Sequence, residues 1–302
     1  MGPWLLQEQP TERLRNAIDR PARNGNLNAM KGFDPSIPNV ARMYDFYLGG
    51  KDNFEADRAA AEQIVRLSPS AAAAAHDNRR FLARAVSHVA RSGITQFVDI
   101  GAGLPTMENT HEIAMEENRL SRVVYVDNDP VVINHARVIL KPELQAVIMK
   151  GDLSEPRLIM ENTVLRTFLD MRQPVAIILA AILHFFDDAH AYAIVDFLKD
   201  SVPRGSALLI SHATADDATS AELQTVQSVY KDAAAPIYLR TKADVARFFD
   251  GFDIVDPGVV DINSWHALGS PKGSRTIGYG GVAIKRSHAG QRGVVPGHRL
   301  TP

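Results

Sequence analysis

An α/β fold is predicted: a mostly parallel sheet with a final antiparallel hairpin, helices on both faces, and a helical cap ahead of the first strand. Three observations predict it. From Thr95 onward, short apolar segments alternate with segments of helical periodicity. Apolar segments such as Val175-Ala176-Ile177-Ile178-Leu179 are continuous rather than alternating, as in parallel strands buried on both faces. The last two strand-like segments, Phe252 to Val260 and Thr276 to Lys285, follow one another with no helix between them, which an antiparallel pair allows.

In chain order, residues 1–34 are polar and contain Pro3, Pro10, Pro21 and Gly25; they are expected to form a flexible arm. A cap is expected over 35–92. Val40, Met43, Tyr44 and Tyr47 have helical spacing, Gly49-Gly50 breaks that helix, and helices follow at 57–67 and 77–91, the latter with Phe81, Leu82, Ala85, Val86 and Val89 on one face. The core is expected over 93–286. Its strands are placed at 95–100, 122–126, 146–149, 175–182 and 206–212, with helices at 106–118, 130–140, 156–169, 188–201, 218–233 and 242–250. Asp129 is the expected cap of the helix that Pro130 opens, and Thr241 that of the last helix. Residues 287–302 are rich in Gly, Pro and basic residues and are expected to be a flexible tail. No internal repeat is evident.

Bulk properties narrow the function. The 302 residues are 45% hydrophobic and 23% charged, as in globular proteins. A net charge of −2 supplies no basic field for phosphates, so no nucleic-acid partner is expected. The chain has no cysteine, which excludes disulfides, thiolate nucleophiles and cysteine-ligated zinc. No apolar run reaches the roughly 18 residues of a membrane span, and the N-terminus lacks a secretory pattern, so a cytoplasmic protein with no membrane partner is expected.

The segment Phe97-Val98-Asp99-Ile100-Gly101-Ala102-Gly103 runs from an apolar strand through an acid into two glycines. Asp127 ends the next strand 28 residues after Asp99. That spacing suits a nucleotide-binding βαβ unit, in which glycines bring the backbone close to the ligand. A dinucleotide site needs only a small residue where Asp99 stands, whereas a carboxylate there can receive a cationic amine. The third glycine of both common loop patterns is missing: Pro105 and Thr106 occupy the two positions, with Pro105 acceptable as a first helical residue. Asp127 can accept both hydroxyls of a ribose, since Asp129 is better placed to cap. In Gly151-Asp152-Leu153 the acid can meet an adenine amino group and Leu153 can pack on the base; an ordinary Gly-Asp turn is the competing reading. After the fourth strand, Ala181-Ile182-Leu183-His184 offers a general base near neutral pH in His184, against the alternative of a packed core histidine. His212, at the end of the fifth strand, has the same two readings. No spacing around these histidines supports a metal site, and none is expected.

These residues resemble a class I S-adenosylmethionine-dependent methyltransferase. The stretch Pro38-Asn39-Val40-Ala41-Arg42-Met43-Tyr44-Asp45-Phe46-Tyr47-Leu48-Gly49-Gly50-Lys51-Asp52-Asn53-Phe54 is more closely similar to one family, the S-adenosyl methyltransferases long described as a domain of unknown function. Phe97 to Thr110, Tyr125 to Pro130, Ala181 to Phe185 and Ser211 to Asp216 fit the same family, so the resemblance spans about 35–285. It implies a Rossmann-like class I methyltransferase sheet under a helical cap, and S-adenosylmethionine as donor with S-adenosylhomocysteine as product. It also implies site residues. Asp99, Gly101, Ala102 and Gly103 would hold the methionine end, Asp127 with Asn128 the ribose, and Asp152 with Leu153 the adenine. Ala181 would line the donor site. From the cap, Tyr44, Tyr47, Lys51 and Asn53 would lie over donor or acceptor; for the two tyrosines a buried helical stripe is the alternative.

Methyl transfer to a small-molecule acceptor is therefore the leading expectation. Absence of Asn-Pro-Pro-Tyr after the fourth strand speaks against adenine-N6 or amide methylation. An NAD(P)-dependent oxidoreductase explains Asp127 but not Asp99. A catalytically silent donor-binding protein is a third reading, against which the cap and the Trp265 loop suggest a built acceptor pocket. The acceptor and the oligomeric state are not legible.

Overall fold

The computed structural model describes residues 34–105, 108–217, 224, 227–228, 230, 236–267 and 277–286. The expected arm apart from Asp34, the expected tail, Thr106, and most of the helix expected over 218–233 lie outside them.

Three helices precede the sheet: α1 (Val40–Tyr47), α2 (Glu55–Leu67) and α3 (Ala71–Arg91). Asn39 caps α1 by accepting from the Ala41 N–H at 2.8 Å. Asp57, in the first turn of α2, accepts from the Phe54 N–H at 2.8 Å. Between α1 and α2 the chain turns at Gly49, whose φ is +77°. A Cβ on Gly50 would lie 2.0 Å from Asp45 Oδ1, so the loop closes on that carboxylate only with glycine there.

The sheet follows: β1 (Gln96–Ile100), α4 (Thr110–Glu117), β2 (Arg122–Asp127), α5 (Pro130–Ile139), β3 (Ala146–Lys150), α6 (Pro156–Met160), α7 (Thr163–Phe168), β4 (Ala176–Ala180), a short 3₁₀ turn (Leu183–Phe185), α8 (Asp188–Asp200), β5 (Ala207–Ala213), α9 (Lys242–Arg247), β6 (Phe252–Ile254), β7 (Val260–Asp261) and β8 (Gly278–Lys285). Strand order is β3-β2-β1-β4-β5-β8-β6, with β7 beside β8. The first five strands are parallel, and β8 runs antiparallel to β5, β6 and β7. The expected final pairing is present, with β8 inserted between β5 and β6.

Both faces of the sheet are covered. On one, Val98, Ile100, Ile177, Leu179 and Leu208 pack on α6, α7, α8 and α9. On the other, Phe97, Val123, Ile178 and Leu209 pack on α3, α4 and α5. A third, smaller core of Met43, Tyr47, Ala61, Ile64 and Ala75 joins the cap helices to each other.

Four expectations are corrected. The helix expected from 106 begins at Thr110, so Pro105 is not its first residue; the Asn109 N–H donates to Glu112 Oε2 at 2.7 Å and sets the start. The single helix expected over 156–169 is two, because Asn162 Oδ1 accepts from the Val164 N–H at 2.8 Å and opens a new helix. The strand expected over 252–260 is interrupted around Pro257, which has no N–H to give a ladder. Trp265 is fully buried against Phe81 of α3, with ring centroids 5.6 Å apart, so it supports the core and not an acceptor pocket.

Candidate functional site

Chain direction across the sheet reverses between β1 and β4, since β2 and β3 lie on one side and β5 on the other. At such a switch point the carboxyl ends of the strands leave a crevice for ligands. A cavity of about 360 Å³ opens there and extends under the cap. It is lined by Asp99 and the loop Gly101-Ala102-Gly103, by Asp127 and Asn128, by Asp152 and Leu153, by Ala181 and His184, and by Tyr44 and Tyr47. Twelve of the fourteen residues expected at the site are thus brought together. Lys51 and Asn53 are not. Lys51 is exposed, and Asn53 turns inward to donate to Asp45 Oδ2 at 2.8 Å, because the two-glycine turn folds this loop back on α1.

The glycine loop is fixed from below: the Gly101 and Ala102 N–H groups donate to Val126 O at 2.9 and 3.2 Å. Gly101 and Gly103 have φ of +74° and +66°, a region other L-residues rarely enter. A Cβ at Gly103 would meet nothing within 4 Å, so the loop leaves open space beside its backbone. Ala181 also has positive φ (+53°), held by its N–H donating to Ser211 O and Oγ at 3.1 and 3.0 Å. Such strain in a non-glycine residue is characteristic of functional loops.

Asp99 is buried and accepts from Thr110 Oγ1 at 2.6 Å. Burial raises its pKa, against that hydrogen bond and the nearby Arg79 charge. Asp127 is not left free by the Asp129 cap. Its Oδ2 accepts from the Gly103 N–H and its Oδ1 from the Asp129 N–H, each at 2.9 Å, so it ties the glycine loop to β2. Burial pushes its pKa up to about 6. The expected cap holds: Asp129 Oδ1 accepts from the Val131 N–H at 2.6 Å. Asp152 makes the expected turn and also stands on the cavity wall. Its Oδ1 makes the turn with Ser154, while Oδ2 has Asn128 Nδ2 at 3.5 Å, and the residue lines the cavity.

Both histidines are buried, as in the packed reading given for each. Burial, then the nearby Arg240 charge, pushes His184 down to about 3, so it is not a base poised near neutral pH. His212 Nε2 faces Arg240 Nη1 at 2.8 Å and its Nδ1 faces Ala213 O at 2.7 Å. An arginine can only donate, so Nε2 accepts and His212 is the neutral Nδ1–H tautomer. Arg240 also donates to the Leu183 and Phe186 carbonyls, at 3.2 and 2.8 Å, and thereby holds the loop that carries His184. Tyr44 belongs to a fixed chain: Ser211 Oγ donates to Asn78 Oδ1, Asn78 Nδ2 to Tyr44 Oη at 2.9 Å, and Tyr44 Oη to Ala75 O at 2.9 Å. Among the described residues, no group of three or more His, Asp or Glu is placed to hold a metal ion. No described helix is long and apolar enough to cross a membrane.

Four participants escaped sequence reasoning. Asn78, Arg79 and Arg240 carry no local motif, and Ser211 stands in a family-like stretch that assigns it no role. One signal existed for Arg79: it lies on the face of α3 that also carries Leu82 and Val86, one turn and two turns on.

This geometry places a crevice at the switch point of a class I methyltransferase sheet, and comparison with known proteins agrees on that fold. The S-adenosyl methyltransferase family model matches residues 27–286, and the chain belongs to that family. It is similar to the crystal structure of a candidate methyltransferase from Thermobifida fusca YX, at 34% identity over 87% of this chain and 100% of that one, with a TM-score of 0.81. It is likewise similar to a DUF574-family protein from Streptomyces avermitilis MA-4680, at 39% identity over 84% of this chain and 99% of that one, with a TM-score of 0.79. Among curated proteins none matches the chain. The protein is an S-adenosylmethionine-dependent methyltransferase.

Proposed function

We propose that the protein transfers a methyl group to a small-molecule acceptor held between the donor crevice and the cap. The observation that carries this reading is the grouping of three carboxylates, Asp99, Asp127 and Asp152, around an open glycine loop in one cavity. This charge pattern fits a donor with an amine, a ribose diol and an adenine amino group. Arg79, also on the cavity wall, completes it with a cation for the amino-acid carboxylate. No metal is needed for this donor set. Asp99 would receive the amine and Asp127 the ribose hydroxyls, with Leu153 against the base.

The donor's sulfonium supplies an activated methyl group. In the displacement one carbon–sulfur bond breaks, its electron pair stays on sulfur, and the acceptor atom forms the new bond and releases its proton. The reaction then depends on alignment more than on a strong base, in keeping with a His184 that is neutral and serves as a hydrogen-bonding group.

Calorimetric titration with S-adenosylhomocysteine tests the reading. Wild type is expected to bind, and Asp127→Ala to lose about 1–3 kcal/mol of affinity. Binding of NADH in preference to S-adenosylhomocysteine would overturn it in favour of an oxidoreductase. Tight binding without methylated products from a metabolite extract would favour a silent donor-binding protein.

A further inference from the structure

Charge is unevenly distributed on the cavity wall. Among the described residues, the charged ones that line it are Arg79, Asp99, Asp127 and Asp152, and the three acids stand at the ends of β1, β2 and β3. Towards the cap and the ends of β4 and β5 the lining is different. Tyr47, Ile64 and Leu67 come from the cap, Phe185 and Phe186 from the loop after β4, and Tyr230 from the segment that precedes Arg240.

These side chains form one continuous wall. Tyr230 packs on the cap core of Tyr47 and Ile64. The Phe185 ring lies 6.2 Å from Tyr230 and 4.4 Å from His184, and His184 lies 5.5 Å from His212. The polar groups here are hydroxyls, an amide and neutral imidazoles. Burial raises the pKa of Tyr44, Tyr47 and Tyr230 and lowers that of both histidines, so none carries charge near neutral pH. Arg240 is outside the described lining, and its guanidinium is taken up by Asp188, His212 and two carbonyls.

We infer that the acceptor is an uncharged, flat aromatic molecule, bound between the cap and the Phe185-Phe186 loop with its nucleophilic atom towards the donor site. The inference rests on the methyltransferase reading and adds the chemical class of acceptor. A charged acceptor would have to leave water for a wall whose described side chains around Phe185 and Tyr230 offer no counter-charge, a cost an aromatic neutral molecule avoids. The same molecule would gain edge and face contacts with Phe185, Phe186 and Tyr230.

The test is calorimetry on the full chain saturated with S-adenosylhomocysteine, with 2-naphthol, 2-naphthoate and 2-naphthylmethylamine as probes at neutral pH. 2-Naphthol is expected to bind at least about tenfold more tightly than either charged probe. Phe185→Ala is expected to weaken 2-naphthol on the order of tenfold and leave S-adenosylhomocysteine unchanged. Phe185 is only half-buried, so the variant keeps its fold. Equal or tighter binding of a charged probe, or no binding of 2-naphthol to the loaded protein, overturns the inference and leaves the donor-site reading standing. Failure to bind S-adenosylhomocysteine overturns both.

Discussion

At the scale of single residues, the site depends on carboxylates kept out of water. Asp127 gains a proton at about pH 6 because burial outweighs its two backbone N–H partners. Ribose hydroxyls donate to the ionised form, so binding S-adenosylhomocysteine should release a proton below that pH. Affinity should therefore rise as pH increases from 5 through 6 and then level off. Asp99, also raised, contributes with the same sign. Isothermal titration across this range checks the slope, and Asp127→Asn should flatten it. Arg79 gives a second expectation. Its guanidinium donates to Glu108 O at 2.9 Å, two residues before the Thr110 that holds Asp99, so cation and acid flank one loop. Arg79→Met should weaken S-adenosylhomocysteine by roughly 10- to 100-fold, the scale of a charged hydrogen bond. It should leave 5′-methylthioadenosine unaffected, because that compound has no amino-acid end. Equal losses for both ligands would show that Arg79 acts on the fold instead.

Between elements, the decisive contact is a buried ion triad. Arg42 of α1 donates from Nε to Asp57 of α2 at 2.8 Å and from Nη1 to Asp129, at the start of α5, at 2.9 Å. A third bond reaches Ile37 O at 2.7 Å. Asp129 in turn gives its N–H to Asp127, so the cap is fastened to that cavity carboxylate through two residues. Arg42→Ala leaves two buried acids without their cation and should cost about 3–5 kcal/mol by urea denaturation. Replacing all three members with apolar residues should recover much of that loss, since the penalty comes from the uncompensated charges. The elements themselves were largely legible. Asp129-Pro130 marked the start of α5 and Thr241 that of α9, because capping is a local property of the chain. The break at Asn162 was missed, since its helical neighbours mask a side chain that caps only once the turn has formed.

For the whole molecule, two buried neutral histidines couple folding to pH. In the unfolded chain each takes up a proton near 6.5, whereas folded His184 stays neutral to about 3. The unfolded state thus binds more protons below 6.5, and stability from this source falls as pH falls. Asp99 and Asp127, whose folded pKa values are raised, act in the opposite direction. Comparing wild type with His184→Gln isolates the histidine. Below pH 6.5 wild type should lose stability relative to the variant by on the order of 1 kcal/mol per pH unit. A difference that does not change with pH would show that His184 is solvated in the folded protein.

The sequence alone determined the strand–helix alternation, the parallel sheet with its antiparallel close, and the three acids at the strand ends. Each follows from periodicity or from short-range spacing, which a linear chain carries explicitly. Only the tertiary structure decided which polar residues face the cavity. Lys51 and Asn53 looked like ligands, but Lys51 is exposed and Asn53 closes its loop on Asp45, and His184 looked like a base but is silenced by burial and by Arg240, 56 residues away. Arg79, Asn78 and Ser211 reach the cavity through packing between α3 and the sheet. Burial and charge proximity arise from contacts between distant segments, so neither orientation nor protonation state could be read along the chain.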